Sequence, residues 1–185
     1  MRRDSKIPIQ GLEKLQDSTM PESKDHAADS PARIRSILLP TDFSDCANFA
    51  LPYAAGIARA TGASLLCVHV VETVVPAVGY SGMSEPLPIA DISEQLEESA
   101  EREMPRVAEC EECAGLNVEE MIVHGDAATE IVRVARERRV DLIVVSSHGR
   151  TGLGRILFGS TAEAIVRHAT CPVLVVKPPQ EEESS

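Results

Sequence analysis

The stretch Asp141-Leu-Ile-Val-Val-Ser-Ser-His-Gly149, continued after Arg150–Phe158 by Gly159-Ser-Thr-Ala-Glu-Ala-Ile-Val-Arg-His-Ala169, decides how the chain reads. Asp141–Val145 is a short, apolar, β-branched run, the pattern of a buried parallel strand. Ser146–Gly149 breaks it, and a nine-residue segment leads to Gly159-Ser160-Thr161, after which the sequence turns helical. Glycine lets the backbone approach an anion with no Cβ in the way. A helix start presents N–H groups without intrahelical acceptors and the positive end of the macrodipole. Strand, glycine-punctuated loop and helix start together make a phosphate cradle, so this loop is the candidate nucleotide site.

Two other phosphate loops do not fit. A P-loop needs Lys after its last glycine, and no Lys follows any glycine here. A dinucleotide fingerprint needs G-x-G-x-x-G, and Gly152-Leu-Gly154 is followed by Leu157 where the third glycine belongs. What remains is the spacing Gly149, nine residues, Gly159-Ser160.

That spacing resembles the universal stress protein family, whose ATP-binding members carry Gly, two residues, Gly, nine residues, Gly, then Ser or Thr. Gly149 and Gly159-Ser160 match the second and third glycines, and Ser146 stands where the first would be. Leu39-Pro-Thr-Asp-Phe-Ser44 and Cys171-Pro-Val-Leu-Val-Val176 are similar to the family as well, and the resemblance runs from about Arg33 to Pro178. It implies a doubly wound α/β fold of the adenine-nucleotide alpha-hydrolase type: five parallel strands in the order 3-2-1-4-5, helices on both faces. In that order the chain winds away from strands one and four in opposite directions. Ligands sit at the carboxyl ends of strands at such a switch point, here Pro40-Thr41-Asp42 and Ser146–Gly149.

The composition agrees with one globular domain. A chain of 185 residues can build a full core, and 43% hydrophobic with 25% charged residues is ordinary for such a domain. The formal charge of −11 speaks against nonspecific binding to nucleic acid or acidic membranes, which calls for basic patches. A cradle of backbone N–H groups needs no net positive charge. No apolar run approaches a membrane span, and Arg2-Arg3 is not followed by the apolar core of a secretory signal. A cytoplasmic protein is expected. The five cysteines lack the spacing of a disulfide framework and are expected to be reduced.

Residues 1–32 mix charges of both signs with few large apolar groups and read as a flexible extension. Residues 33–178 make the domain, and 179–185 a short acidic tail. The first strand is expected over Arg33–Leu39. Ser44 should cap a helix running to about Ala60, with Phe49, Ala50, Tyr53, Ala54 and Ile57 inward, a kink at Pro52 and a stop at Gly62. Ser64–Val71 is the second strand. Thr73–Ala90, punctuated by Pro and Gly, has the length and irregularity of a lid or partner surface. A second helix is expected from Asp91, with Ile92, Leu96, Ala100, Met104 (or Glu103) and Val107 along one side, a bend at Pro105 and an end at Gly115. Val118–Val123 is the third strand. Asp126 caps the third helix, whose Ile131, Val132 and Ala135 point inward. Val140–Val145 is the fourth strand, Gly159–Ala169 the fourth helix and Pro172–Val176 the fifth strand.

The N–H groups of Gly149, Ser160, Thr161 and Ala162 are the expected phosphate donors. The Ser160 hydroxyl adds a donor or caps its helix. Arg150 and Arg155 either neutralise phosphate or are solvated loop residues. The resemblance implies that Asp42 recognises adenosine; its other reading is a turn-former. It also implies that adenine packs on Pro40 and meets backbone at Val70. Thr41, Ser146, His148 and Gly152 complete the candidate set. A serine at position 146 costs ~1 kcal/mol if φ is positive there and little if the backbone is extended.

No carboxylate neighbours His148 in sequence, so it reads as structural. His69 and His124 read as satisfied structural histidines, and His168 suits a helix C-terminus. Cys110-Glu-Glu-Cys113 falls late in a helix beside two glutamates, which oppose a thiolate, and has no second pair to make a zinc site. Cys67 and Cys171 read as small core residues.

The resemblance implies a stress-response protein that binds ATP, with or without Mg2+, and with AMP or ADP as alternatives. It implies a homodimer through Pro172–Val176, and pairing there would also cover an apolar sheet edge. A same-fold interaction module without nucleotide and a slow ATP-hydrolysing enzyme are the alternatives. Paired carboxylates, a P-loop lysine and a metal-ligand cluster are all missing from the sequence, so no catalytic or metal-binding residue is assigned.

Overall fold

A computed structural model of the chain describes residues 33–72, 89–147 and 159–177. The elements are β1 (Ser36–Pro40), α1 (Asp45–Asn48), α2 (Leu51–Thr61), β2 (Ser64–Val71), α3 (Ile89–Ala108), β3 (Val118–His124), α4 (Ala127–Glu137), β4 (Leu142–Ser146), α5 (Ser160–His168) and β5 (Val173–Val176). A 3-10 turn, Glu111–Cys113, follows α3. The strands form one parallel five-stranded sheet in the order β3-β2-β1-β4-β5, as expected.

Successive side chains of a strand point to opposite faces, and the core divides accordingly. Ile37, Leu39, Leu65, Cys67, Leu142 and Val144 pack with Ala54 and Ala58 of α2 and Met104 and Val107 of α3. Leu38, Leu66, Val68, Ile143 and Val145 pack with Ile131 and Val134 of α4 and Ala162 and Ile165 of α5. Both faces of the central strands are buried, which is why their sequences are continuous apolar runs rather than alternating ones.

Several local expectations are corrected. β1 begins at Ser36, not Arg33, because Asp141 Oδ2 takes the N–H groups of Arg35 (2.8 Å) and Ser36 (3.1 Å) and sets where the strand starts. The expected kinked helix is two helices. Pro52 has no N–H and would clash with the carbonyl four residues back, so the chain breaks at Phe49-Ala50 and restarts with Pro52 in the first turn of α2. Ala50 and Ala54 are fully buried and Phe49 and Ile57 pack against the core, as expected; Leu51, Ala55 and Ala58 are buried with them, while Tyr53 is 50% exposed. Gly62 ends α2 in the left-handed conformation, φ 72°, as its position predicted.

α3 ends at Ala108, before the 3-10 turn, rather than at Gly115, and Pro105 lies inside it. Ala100, Met104 and Val107 are buried as expected, while Leu96 is partly exposed. β4 begins at Leu142 rather than Val140 and β5 at Val173 rather than Pro172. Thr73–Pro88 lies outside the described residues, as do the two terminal segments.

Candidate functional site

The carboxyl end of β1 turns through a relay of short hydrogen bonds. Thr41 N–H donates to Val68 O (2.9 Å) and Thr41 Oγ1 accepts from Phe43 N–H (3.0 Å). Asp42 Oδ1 accepts from Ser44 N–H (3.0 Å) and from the Ser44 hydroxyl (2.5 Å), and Ser44 Oγ in turn accepts from Ala47 N–H (3.1 Å), capping α1. Phe43 sits at the centre of the relay with φ 63°, an uncommon conformation for a bulky residue. Its ring stacks on His69 at 4.3 Å, and His69 Nδ1–H donates to Thr41 O at 2.8 Å. His69 is therefore a satisfied structural histidine, as expected, and Asp42 does act as a turn-former.

The carboxyl end of β4 is tied differently. Ser147, buried at the strand's exit, donates its N–H to Val176 O (2.8 Å) and accepts at its carbonyl from Gly159 N–H (2.7 Å). That bond pins the start of α5 to the end of β4. Gly159 is the N-cap and brings no side-chain cap; Ser160 is the first helical residue, so its hydroxyl does not cap the helix. The first N–H bonded within the helix is that of Glu163, to Gly159 O (3.0 Å). The N–H groups of Ser160, Thr161 and Ala162 precede it.

Between these two strand ends lies a cleft of about 640 Å³, within the usual range for small-molecule sites. Pro40, Asp42 and Val70 line one part of it, Ser146, Ser160 and Ala162 another. Leu96 and Ala100 of α3 and Ile131 of α4 also contribute. Ser146 is 5% exposed, and its Oγ is buried with no hydrogen-bond partner. It ends an extended strand and is not among the described non-glycine residues with positive φ, so serine is accommodated there without backbone strain.

The sequence pattern of the universal stress protein family matches residues 33–177. The chain belongs to the universal stress protein family. It is 38% identical over 148 residues to a universal stress protein of Methanocaldococcus jannaschii, covering 80% of this chain and 85% of that one. The solved structure of a universal stress protein from Lactobacillus plantarum is similar at a TM-score of 0.61 and 28% identity, over 79% of this chain and 99% of that one. A universal stress protein from Archaeoglobus fulgidus solved in complex with dAMP is similar at a TM-score of 0.50 and 24% identity, over 78% and 98% of the two chains. At that identity the likeness is one of fold.

The structure thus brings Pro40, Thr41, Asp42, Val70, Ser146, Gly159, Ser160, Thr161 and Ala162 of this universal stress protein to one cleft. His148, Gly149, Arg150 and Gly152 lie outside the described residues, as does Arg155. Phe43 and Ser147 were missed as builders of the site. Both stood in the quoted motifs, but a positive φ and a carbonyl aimed at a residue beyond the loop leave no mark in residue type.

The cysteines are free thiols, Cys67 and Cys113 buried and Cys46, Cys110 and Cys171 half-buried. Cys113 is buried, and its Sγ–H donates to Val107 O (3.4 Å). Burial first, and then the neighbouring Cys110, pushes its thiol up to about 12. Burial likewise raises the Cys67 thiol to about 12. The C-x-x-C pair sits across the 3-10 turn after α3 rather than within a helix. Among the described residues no group of three or more His, Cys, Asp or Glu is placed to hold a metal ion, and no helix is long and apolar enough to cross a membrane.

Proposed function

We propose that this universal stress protein binds an adenine nucleotide, ATP foremost, in the cleft at the carboxyl ends of β1 and β4. The observation that carries the reading is convergence. The uncapped first turn of α5 and the Pro40–Asp42 rim open on the same cleft, at the switch point of the sheet. The N–H groups of Ser160, Thr161 and Ala162, with the Ser160 hydroxyl, receive the phosphates. Adenine packs against Pro40 and meets backbone at Val70, and Asp42 accepts from an adenine amine or a ribose hydroxyl. Mg2+, where present, arrives on the nucleotide's own phosphates. The dAMP complex of a same-fold relative supports the fold as a holder of adenine nucleotides. Binding rather than turnover is the function, exerted in a homodimer. The sheet ends at β5, where Leu174 is 36% exposed and Val166 of the adjacent α5 is 50% exposed. An apolar edge of this kind is suited to pairing with a second copy.

Equilibrium dialysis against millimolar ATP tests the first part. The parent is expected to retain nucleotide and the Gly149→Val, Gly159→Val double variant to lose it. A folded parent that retains none ends this reading in favour of a nucleotide-free interaction module. Analytical ultracentrifugation tests the second part: the parent should sediment as a dimer and Leu174→Lys as a monomer. A monomeric parent removes the dimer.

A further inference from the structure

Among the described residues, Ser146 Oγ is a buried side-chain polar atom that lines this cleft and has no hydrogen-bond partner. The register that pairs Ile37 with Leu142 and Leu38 with Ile143 brings Ser146 beside Thr41 when carried along the two strands. Around it the hydrogen bonds are spent internally. Thr41 Oγ1 takes Phe43 N–H, Asp42 Oδ1 takes two donors from Ser44, and Ser147 bonds Val176 and Gly159 through its backbone. The Ser146 Oγ is buried, lines the cleft and has no partner. A buried hydroxyl in that state is destabilising unless something else comes to meet it.

Its position indicates what that is. On one side stands the Thr41–Asp42 rim. On the other, the very next residue holds the N–H of Gly159 at the start of α5. If base and phosphates take those two ends, the part of the nucleotide between them is the sugar. A serine hydroxyl both donates and accepts, and so does a sugar hydroxyl, so the two are matched in either orientation. We infer that Ser146 is a specificity residue that hydrogen-bonds a ribose hydroxyl, and that the site prefers ribonucleotides to deoxyribonucleotides. This rests on the nucleotide reading above.

The test measures binding of ATP, 2′-deoxy-ATP and 3′-deoxy-ATP to the full chain and to Ser146→Ala by isothermal titration. The parent is expected to bind ATP about five- to tenfold more tightly than one of the two deoxy analogues, the ratio a single hydrogen bond of ~1 to 1.4 kcal/mol produces. The analogue that loses affinity identifies the hydroxyl. In Ser146→Ala the ratio should collapse to within about twofold through weaker ATP binding. A ligand-free melt supplies a second readout. Alanine removes a buried polar atom that has no partner, so Ser146→Ala should melt at or above the parent's temperature.

Equal binding of all three nucleotides by the parent overturns the inference and leaves the nucleotide reading standing. So does discrimination that survives in Ser146→Ala. A ligand-free Ser146→Ala that melts well below the parent also overturns it, because the hydroxyl would then be paired within the protein or by a buried water. A folded parent that binds none of the three overturns the nucleotide reading and this inference together.

Discussion

Two helices start at the same rim of the sheet and both help line the cleft, α4 after Asp126 and α5 after Gly159. Their first turns are finished in opposite ways. Asp126 accepts from Thr129 N–H (2.9 Å) and from the Thr129 hydroxyl (2.6 Å), so α4 carries its own carboxylate over its positive end. Gly159 brings no side chain to α5. The same helical terminus is a closed structural joint in one case and an open donor set in the other. What separates them is one side chain, and that side chain occupies the place an anion would take. α1, capped by Ser44, belongs with α4.

Exchanging the two endings should have the largest effect. Gly159→Asp gives α5 the ending of α4. ATP affinity should fall more than about tenfold, because the new carboxylate both fills the N–H groups and repels phosphate, while the helix gains the stability of a cap. Titration and a thermal melt on the same preparation check both signs; unchanged affinity would mean that the α5 terminus does not face the ligand. Asp126→Ala is the converse. It should cost about 1 kcal/mol of stability in a urea melt and leave ATP affinity within about twofold.

Acid should blur the same contrast. The Thr129 hydroxyl first, and its N–H second, hold the Asp126 carboxyl below its ordinary value of 3.8. A depressed folded pKa means that the contribution is complete above the unfolded value and is lost as pH falls through the folded one. The stability gap between parent and Asp126→Ala should therefore be constant above about pH 5 and narrow below 3.8 in urea melts taken across pH. The smallest effect is expected for Ser44→Ala, about 0.5 kcal/mol, at the low end for a lost cap because α1 is a single turn. A loss as large as that for Asp126→Ala would mean that the relay through Asp42 matters more than the cap.

Much of this contrast is legible from residue type. A short polar residue before a helix start announces a cap, and Ser44 and Asp126 act as read. At α5 the sequence left Ser160 as either a donor or a cap, and the structure makes Gly159 the N-cap with no side-chain cap. The strands are legible because burial on both faces demands continuous apolar runs, as in Ser64–Val71. The break before Pro52 was misread as a kink, since the sequence does not say whether a proline falls in the middle of one helix or the first turn of another. Tyr53 faces outward, although Ala50, Ala54 and Ile57 of the same expected stripe face the core.

The sequence alone determined the order of the strands along the chain, the caps at Ser44 and Asp126, and the two motifs at the strand ends, because each depends on a few neighbouring residues. The tertiary structure alone decided that Ser146 stands unpaired beside Thr41, that Phe43 stacks on His69, and that the carbonyl of Ser147 pins Gly159. Those facts depend on which strands lie side by side. A hydroxyl is satisfied or orphaned by groups distant in the chain, and only the folded sheet brings those groups within hydrogen-bonding reach or keeps them apart.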